Sequence, residues 1–123
     1  KNLNKKNINF IKLNSLNIKK HFIEKKFDLI WIDGDHLNPQ VTIDIINSLD
    51  LLDKDGIICT DDVIMDKNFI KGKYVSNEGF NTLKYLEYNG IIKNYYLIKR
   101  VRLTNAFHKK YVSFSVFKNN SLL

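Results

Sequence analysis

The stretch Phe27–Ile32, FDLIWI, followed at once by Asp33, Gly34, Asp35 and His36, decides how this sequence folds. Five apolar residues out of six, broken only by Asp28, predict a strand buried on both faces, as in a parallel sheet, and the run stops abruptly at Asp33. Asn38 and Pro39 then read as the N-cap and first residue of a helix. Val41, Ile45, Leu49 and Leu52 recur at helical spacing as far as a turn at Asp53 to Gly56. Residues 57–60 form a second buried strand, which also ends in acid, at Asp61 and Asp62. Strand, helix, strand implies a right-handed parallel crossover, and so an α/β, Rossmann-like parallel sheet.

Upstream of that unit, residues 8–13 are a short apolar strand candidate. Asn14 and Ser15 can cap a helix running to about residue 26, with Ile18, Phe22 and Ile23 on one face. Downstream, residues 65–76 are irregular and basic. Helical periodicity resumes over residues 79–89 through Phe80, Leu83 and Leu86, and ends at Asn89 and Gly90. Residues 95–103 and 111–117 are β-rich; in the second run Val112, Phe114 and Val116 alternate with Ser113 and Ser115. The two predict a C-terminal antiparallel hairpin. No internal repeat or proline- or serine-rich linker divides the chain, so the 123 residues read as one domain.

The formal charge of +7 invites a nucleic-acid reading, but its distribution argues otherwise. Residues 1–26 hold eight Lys against one Glu, residues 27–66 hold ten acids against one Lys, and residues 67–123 hold eleven bases against two acids. An acidic middle thus coincides with the two strand ends. Lys outnumbers Arg by eighteen to two, whereas phosphate and base readers lean on Arg. No apolar stretch reaches the roughly 18 residues that cross a bilayer, and a single cysteine, Cys59, allows no internal disulfide. A cytoplasmic setting is the expectation. Because the sequence begins at Lys1 within a polar run, it also reads as a piece of a longer protein.

In an open parallel sheet ligands collect beyond the carboxyl ends of the strands, where Asp33, Asp61 and Asp62 fall. Adjacent strands lie about 4.8 Å apart, so carboxylates at two such ends repel unless something positive sits between them. Oxygen ligands without cysteine favour a hard divalent ion such as Mg2+. The plainer alternative is that Asp61 and Asp62 merely begin a loop. His36 lies three residues after Asp33 in the same loop and can act as a general base. With an unperturbed pKa near about 6.5, its imidazole can accept a proton from a substrate hydroxyl. A loop histidine is commonly only a surface residue; the spacing from Asp33 is what singles this one out.

FDLIWIDGDH, the following helix, LDKDGIICTDDV, a further helix and a terminal hairpin together resemble the second half of a class I S-adenosylmethionine-dependent methyltransferase. The resemblance implies a partial domain over residues 1–123, supplying the third strand (residues 8–13) through the seventh (residues 111–117) of a seven-stranded sheet. Metal-dependent O-methyltransferases hold a divalent ion at positions matching Asp33, Asp61 and Asp62, and their sugar-modifying members use a histidine matching His36 as base. The same resemblance places Asn14, Ser15 and Asp33 against the cofactor and makes the acceptor a small-molecule or sugar hydroxyl. The family's glycine-rich loop and ribose-binding acid would precede residue 1, so residues 1–123 alone would bind the cofactor poorly. Two other readings stay open. Asp33–Gly34–Asp35 is a D-x-D as in metal-dependent glycosyltransferases, and Tyr95, Tyr96 and Arg100 with the basic flanks could form an RNA-binding face.

Overall fold

A computed structural model describes residues 7–73, 75–99 and 109–119. A 3-10 turn, Ser15–Asn17, runs into a short helix α1 (Ile18–His21), then β1 (Phe27–Ile32), α2 (Gln40–Leu51), β2 (Leu52–Ile64), α3 (Glu78–Tyr88), β3 (Ile92–Ile98) and β4 (Lys110–Phe117). The strands form one sheet in the order β1-β2-β4-β3, with β1 parallel to β2 and β4 antiparallel to both its neighbours. The α/β, Rossmann-like character and the C-terminal antiparallel pair therefore stand as the sequence implies. Not foreseen is that β4, last in sequence, inserts between β2 and β3 rather than extending the sheet.

The parallel ladder pairs Leu29 with Ile57 and ends with Ile32 opposite Thr60. β2 then continues past the acids, because β4 supplies an antiparallel partner that carries the pairing to Ile64. The register shifts between Thr60 and Val63, and Asp62 there has φ of 51°, in the left-handed region. Such a bulge redirects side chains where a ladder would otherwise alternate them strictly. The turn expected at Asp53 to Gly56 is likewise absorbed into β2, and Leu52, expected in the helix, pairs with Phe27 instead.

Helices α2 and α3 pack side by side on one face of the sheet. Val41 and Ile45 of α2, Leu83 and Leu86 of α3, and Ile32, Ile58 and Ile92 of the strands form the core beneath them. Burial on both faces of β1 was the expectation, and the structure corrects it. Ile32 is buried and Ile30 packs against the core, but Leu29 and Trp31 are exposed, since β1 contacts only β2 and α2 among the described elements. Residues 8–13 are a second difference. They pair with no described strand, and Ile8, Phe10, Ile11 and Leu13 are exposed; apolar composition makes no strand without a ladder to satisfy its backbone.

The first helix is also shorter than its periodicity suggests. Asn14 caps the 3-10 turn that leads into it, its Oδ1 accepting from Leu16 N at 2.9 Å, while α1 itself has no side-chain cap. The helix nevertheless stops at His21, Glu24 turns into the left-handed region with φ of 65°, and Phe22 swings edge-on to Phe27 at 5.2 Å. Ile23 is left exposed.

In β4 the serines, not the apolar set, face α3. Ser113 and Ser115 are almost fully buried, their hydroxyls 3.3 Å apart, and Ser115 Oγ donates to Asn94 Oδ1 at 2.6 Å. Asn94 in turn donates to Leu83 O and, through its backbone N–H, to Glu87 Oε1. These hydroxyls keep the buried polar groups paired.

Two outcomes follow for stability. A Cβ added at Gly56 would lie 2.9 Å from the Phe27 carbonyl oxygen and 2.7 Å from Leu52 Cδ1, so Gly56→Ala should cost about 1–3 kcal/mol in urea unfolding. Ser115→Ala strips Asn94 of its donor inside the sheet and should cost about 1–3 kcal/mol in the same measurement.

Candidate active site at the carboxyl ends of the parallel strands

A narrow cleft opens where the parallel ladder ends, lined by His36, Thr60, Asp61, Asp62, Ser76 and Gly79, among others. His36 arrives on the loop after β1, Thr60 to Asp62 on the bulge of β2, and Ser76 and Gly79 on the start of α3. Its backbone pins hold the histidine loop from below. Ser76 Oγ donates to His36 O at 2.5 Å, Asn38 N donates to Glu78 Oε2 at 2.7 Å, and Leu37 N donates to Asp35 Oδ1 at 2.9 Å. His36 Nε2 then stands 3.9 Å from Asp62 Oδ2, with both side chains about four-fifths buried.

The positive charge demanded by the acid pair comes from the protein. Lys99 Nζ lies 2.9 and 2.8 Å from the two oxygens of Asp61 and 2.9 Å from Asp62 Oδ1, and Lys110 Nζ lies 2.7 Å from Asp62 Oδ2. Burial would by itself raise the Asp62 carboxyl, but the hydrogen bonds and charges of Lys110 and Lys99 prevail and hold it below the ordinary carboxylate value. Hydrogen bonding to Asp61 and then Asp62 pushes the Lys99 ammonium above the ordinary lysine value.

Asp33, the third expected metal ligand, is exposed. Among the described residues no group of three His, Cys, Asp or Glu side chains is gathered closely enough to hold a metal ion. As placed, this donor set does not fit a divalent ion: the oxygens such an ion needs already accept from two ammonium groups. Asp35 turns back on its own loop, its Oδ1 accepting from Leu37 N. The RNA-face aromatics part company too. Tyr96 packs edge-on to Phe80 with its hydroxyl buried and its pKa raised, first by burial and then by the charge of Glu87. Tyr95 lies under Lys93, and Arg100 falls outside the described residues.

Of the expected cofactor residues, Ser15 reaches the first turns of α2. Gln40 Nε2 donates to Ser15 Oγ and to Asp44 Oδ1, both at 2.8 Å, and a Cβ at Gly34 would lie 3.5 Å from Asp44 Oδ2. Ser15 is thus tied to that helix end, with Asn14 next to it in the chain. Asp33 offers an exposed carboxylate, which can accept from amines and hydroxyls, and Asn14 uses its Oδ1 as a cap, which leaves its amide NH2 as a donor.

Lys99, Lys110, Ser76 and Glu78 are the residues that sequence reasoning missed. Ser76 followed by Asn77 and Glu78 does carry a helix-start signal, but nothing in the sequence reports that its hydroxyl reaches back forty residues to His36. A larger cavity of about 370 Å3, bordered by Lys54, Gly90, Ile91 and Phe117, lies at the other end of the sheet and touches none of these groups.

A family profile described as a methyltransferase domain matches residues 1–63. The chain belongs to this methyltransferase family. No curated protein matches it closely enough to count as a relative. Among solved structures the methyltransferase chain resembles cofactor-bound Rv0187 from MTB, with a TM-score of 0.63 at 16% identity, over 87% of this chain and 47% of that one. It also resembles an O-methyltransferase from Bacillus cereus in complex with SAH, with a TM-score of 0.60 at 17% identity, over 85% of this chain and 46% of that one. TomG from Streptomyces achromogenes, an O-methyltransferase involved in tomaymycin synthesis solved with SAM, gives a TM-score of 0.55 at 10% identity, over 85% and 47%. The chain thus spans about half the length of each, and the likeness is one of fold: part of the Rossmann-like sheet of class I methyltransferases.

The acid pair sets a pH dependence. Asp62 has its folded pKa below the value of 3.8 it takes when free, so its contribution to stability is complete above pH 3.8 and fades as pH falls through the folded value. The difference in thermal midpoint between the parent methyltransferase and Asp62→Asn should accordingly be constant near neutrality and shrink below about pH 4. A difference unchanged down to pH 2 would contradict the ion pairs.

Proposed function

We propose that the protein transfers a methyl group from S-adenosylmethionine to a hydroxyl of a small-molecule or sugar acceptor, with His36 as the general base. The observation that carries this reading is the position of His36 in the cleft at the end of the parallel ladder, its Nε2 3.9 Å from Asp62 Oδ2. Asp62 lies beside the ring, and His36 would take the proton of the acceptor hydroxyl. Thr60 Oγ1 lines the same cleft, buried and without a hydrogen-bond partner among the described residues, and so offers a second contact for the acceptor hydroxyl.

The cofactor supplies the methyl group on an electrophilic sulfonium, and Asn14, Ser15 and Asp33 would border its bound form. Residues 1–123 form a partial domain, from the third strand position to the seventh, and the protein works in the cytoplasm, where the buried free thiol of Cys59 stays reduced. Among the described residues no helix is long and apolar enough to cross a membrane. Divalent-metal assistance through Asp33, Asp61 and Asp62 is the second reading. It is favoured by the ladder ending at Ile32 and Thr60, which puts all three acids at one end of adjacent strands, and it requires Lys99 to leave them.

In the full-length protein, His36→Gln should lower the rate of methyl transfer by about 10²–10⁴-fold while leaving S-adenosylmethionine affinity within a factor of about two in calorimetry. Unchanged turnover would remove His36 from the chemistry; a loss of cofactor affinity of the same size would make it a binding residue.

A further inference from the structure

We infer that the Lys99 ammonium is the resident cation of the acid pair and that the site works without a divalent metal. An ammonium has three N–H donors, and Lys99 Nζ has three carboxylate oxygens within 2.9 Å, two from Asp61 and one from Asp62. Lys110 Nζ takes the fourth oxygen, Asp62 Oδ2. Every oxygen of the pair is thereby occupied, and Asp61 Oδ1 accepts in addition from Asp62 N at 2.8 Å.

Two positive charges balance two negative ones, so an incoming divalent ion meets no net attraction from this set and has to expel a tethered lysine to bind. The tether is short. Lys99 N donates to Lys110 O at 2.9 Å, so the β3–β4 pair presents both ammonium groups from adjacent backbone positions. A cation built into the chain does not dilute away, and the third acid that a metal would use, Asp33, is exposed and outside the cluster. Lys99 is thus a positioning residue: it fixes Asp61 and Asp62, and through Asp62 it sets the carboxylate facing His36.

The inference concerns the site of the methyl-transfer reading, but Mn2+ binding reads the cation without turnover, so either can fail alone. The full-length protein titrated with Mn2+ and followed by electron paramagnetic resonance should show no Mn2+ bound through Asp61 at millimolar metal. Lys99→Ala should open the pair and bind Mn2+ at least tenfold more tightly than the parent. Lys99→Arg should keep it closed, and Asp61→Asn added to Lys99→Ala should abolish the gain. Binding of one Mn2+ by the parent protein that Asp61→Asn abolishes would overturn the inference. So would a Lys99→Ala protein that keeps its circular dichroism spectrum yet gains no affinity. The parent titration decides the matter even if Lys99→Ala does not fold.

Discussion

β2 has to satisfy its backbone on two edges that run in opposite senses, and the rest of the structure is arranged around that requirement. One edge meets β1 in parallel; the other meets β4 antiparallel and keeps pairing after the parallel ladder has ended. A central strand buried between neighbours cannot leave its N–H and C=O groups unpaired, so the chain must deliver β4 to that position. It does so by passing through α3 and β3 first, and the antiparallel return of β4 brings Lys110 alongside Ile64 and, across the strand pair, Lys99 alongside the acids. The bulge between Thr60 and Val63 is where the two regimes meet, and the candidate site is built on it.

The same geometry explains the electrostatics. Asp61 and Asp62 are adjacent in sequence and would ordinarily point to opposite faces of a strand; the left-handed conformation of Asp62 lets both reach Lys99. Two carboxylates this close are tolerable only with counter-charge, and the cost of their partial burial is offset by four short contacts to two ammonium groups. His36 stands at the edge of this set, close enough to Asp62 to be oriented but not held in a short hydrogen bond.

The main cluster of the core lies on the face covered by α2 and α3. α2 and α3 bury Ile30, Ile32 and Ile58, while Leu29 and Trp31 remain exposed on the other side of β1.

Periodicity and punctuation alone determined the β1–α2–β2 crossover, the existence of α3 and the final antiparallel pair, because each depends on local spacing of apolar residues and on stops at Asp33, Asn89 and Gly90. They also determined that Asp33, Asp61 and Asp62 follow or end the parallel ladder and that His36 shares the first of those loops. The expectation of a positive charge near these acids was legible as well, since it follows from carboxylates gathered at the ends of adjacent parallel strands. Which cation answers it was not. Lys99 and Lys110 are 37 and 48 residues from Asp62, in a part of the chain where lysines are common, and only the insertion of β4 between β2 and β3 brings them to it. Tertiary structure likewise decided that residues 8–13 pair with no described strand, that β1 is buried on one side, and that Ser113 and Ser115 face α3. An alternating pattern marks a strand, but which of its two faces is buried depends on the element that packs there.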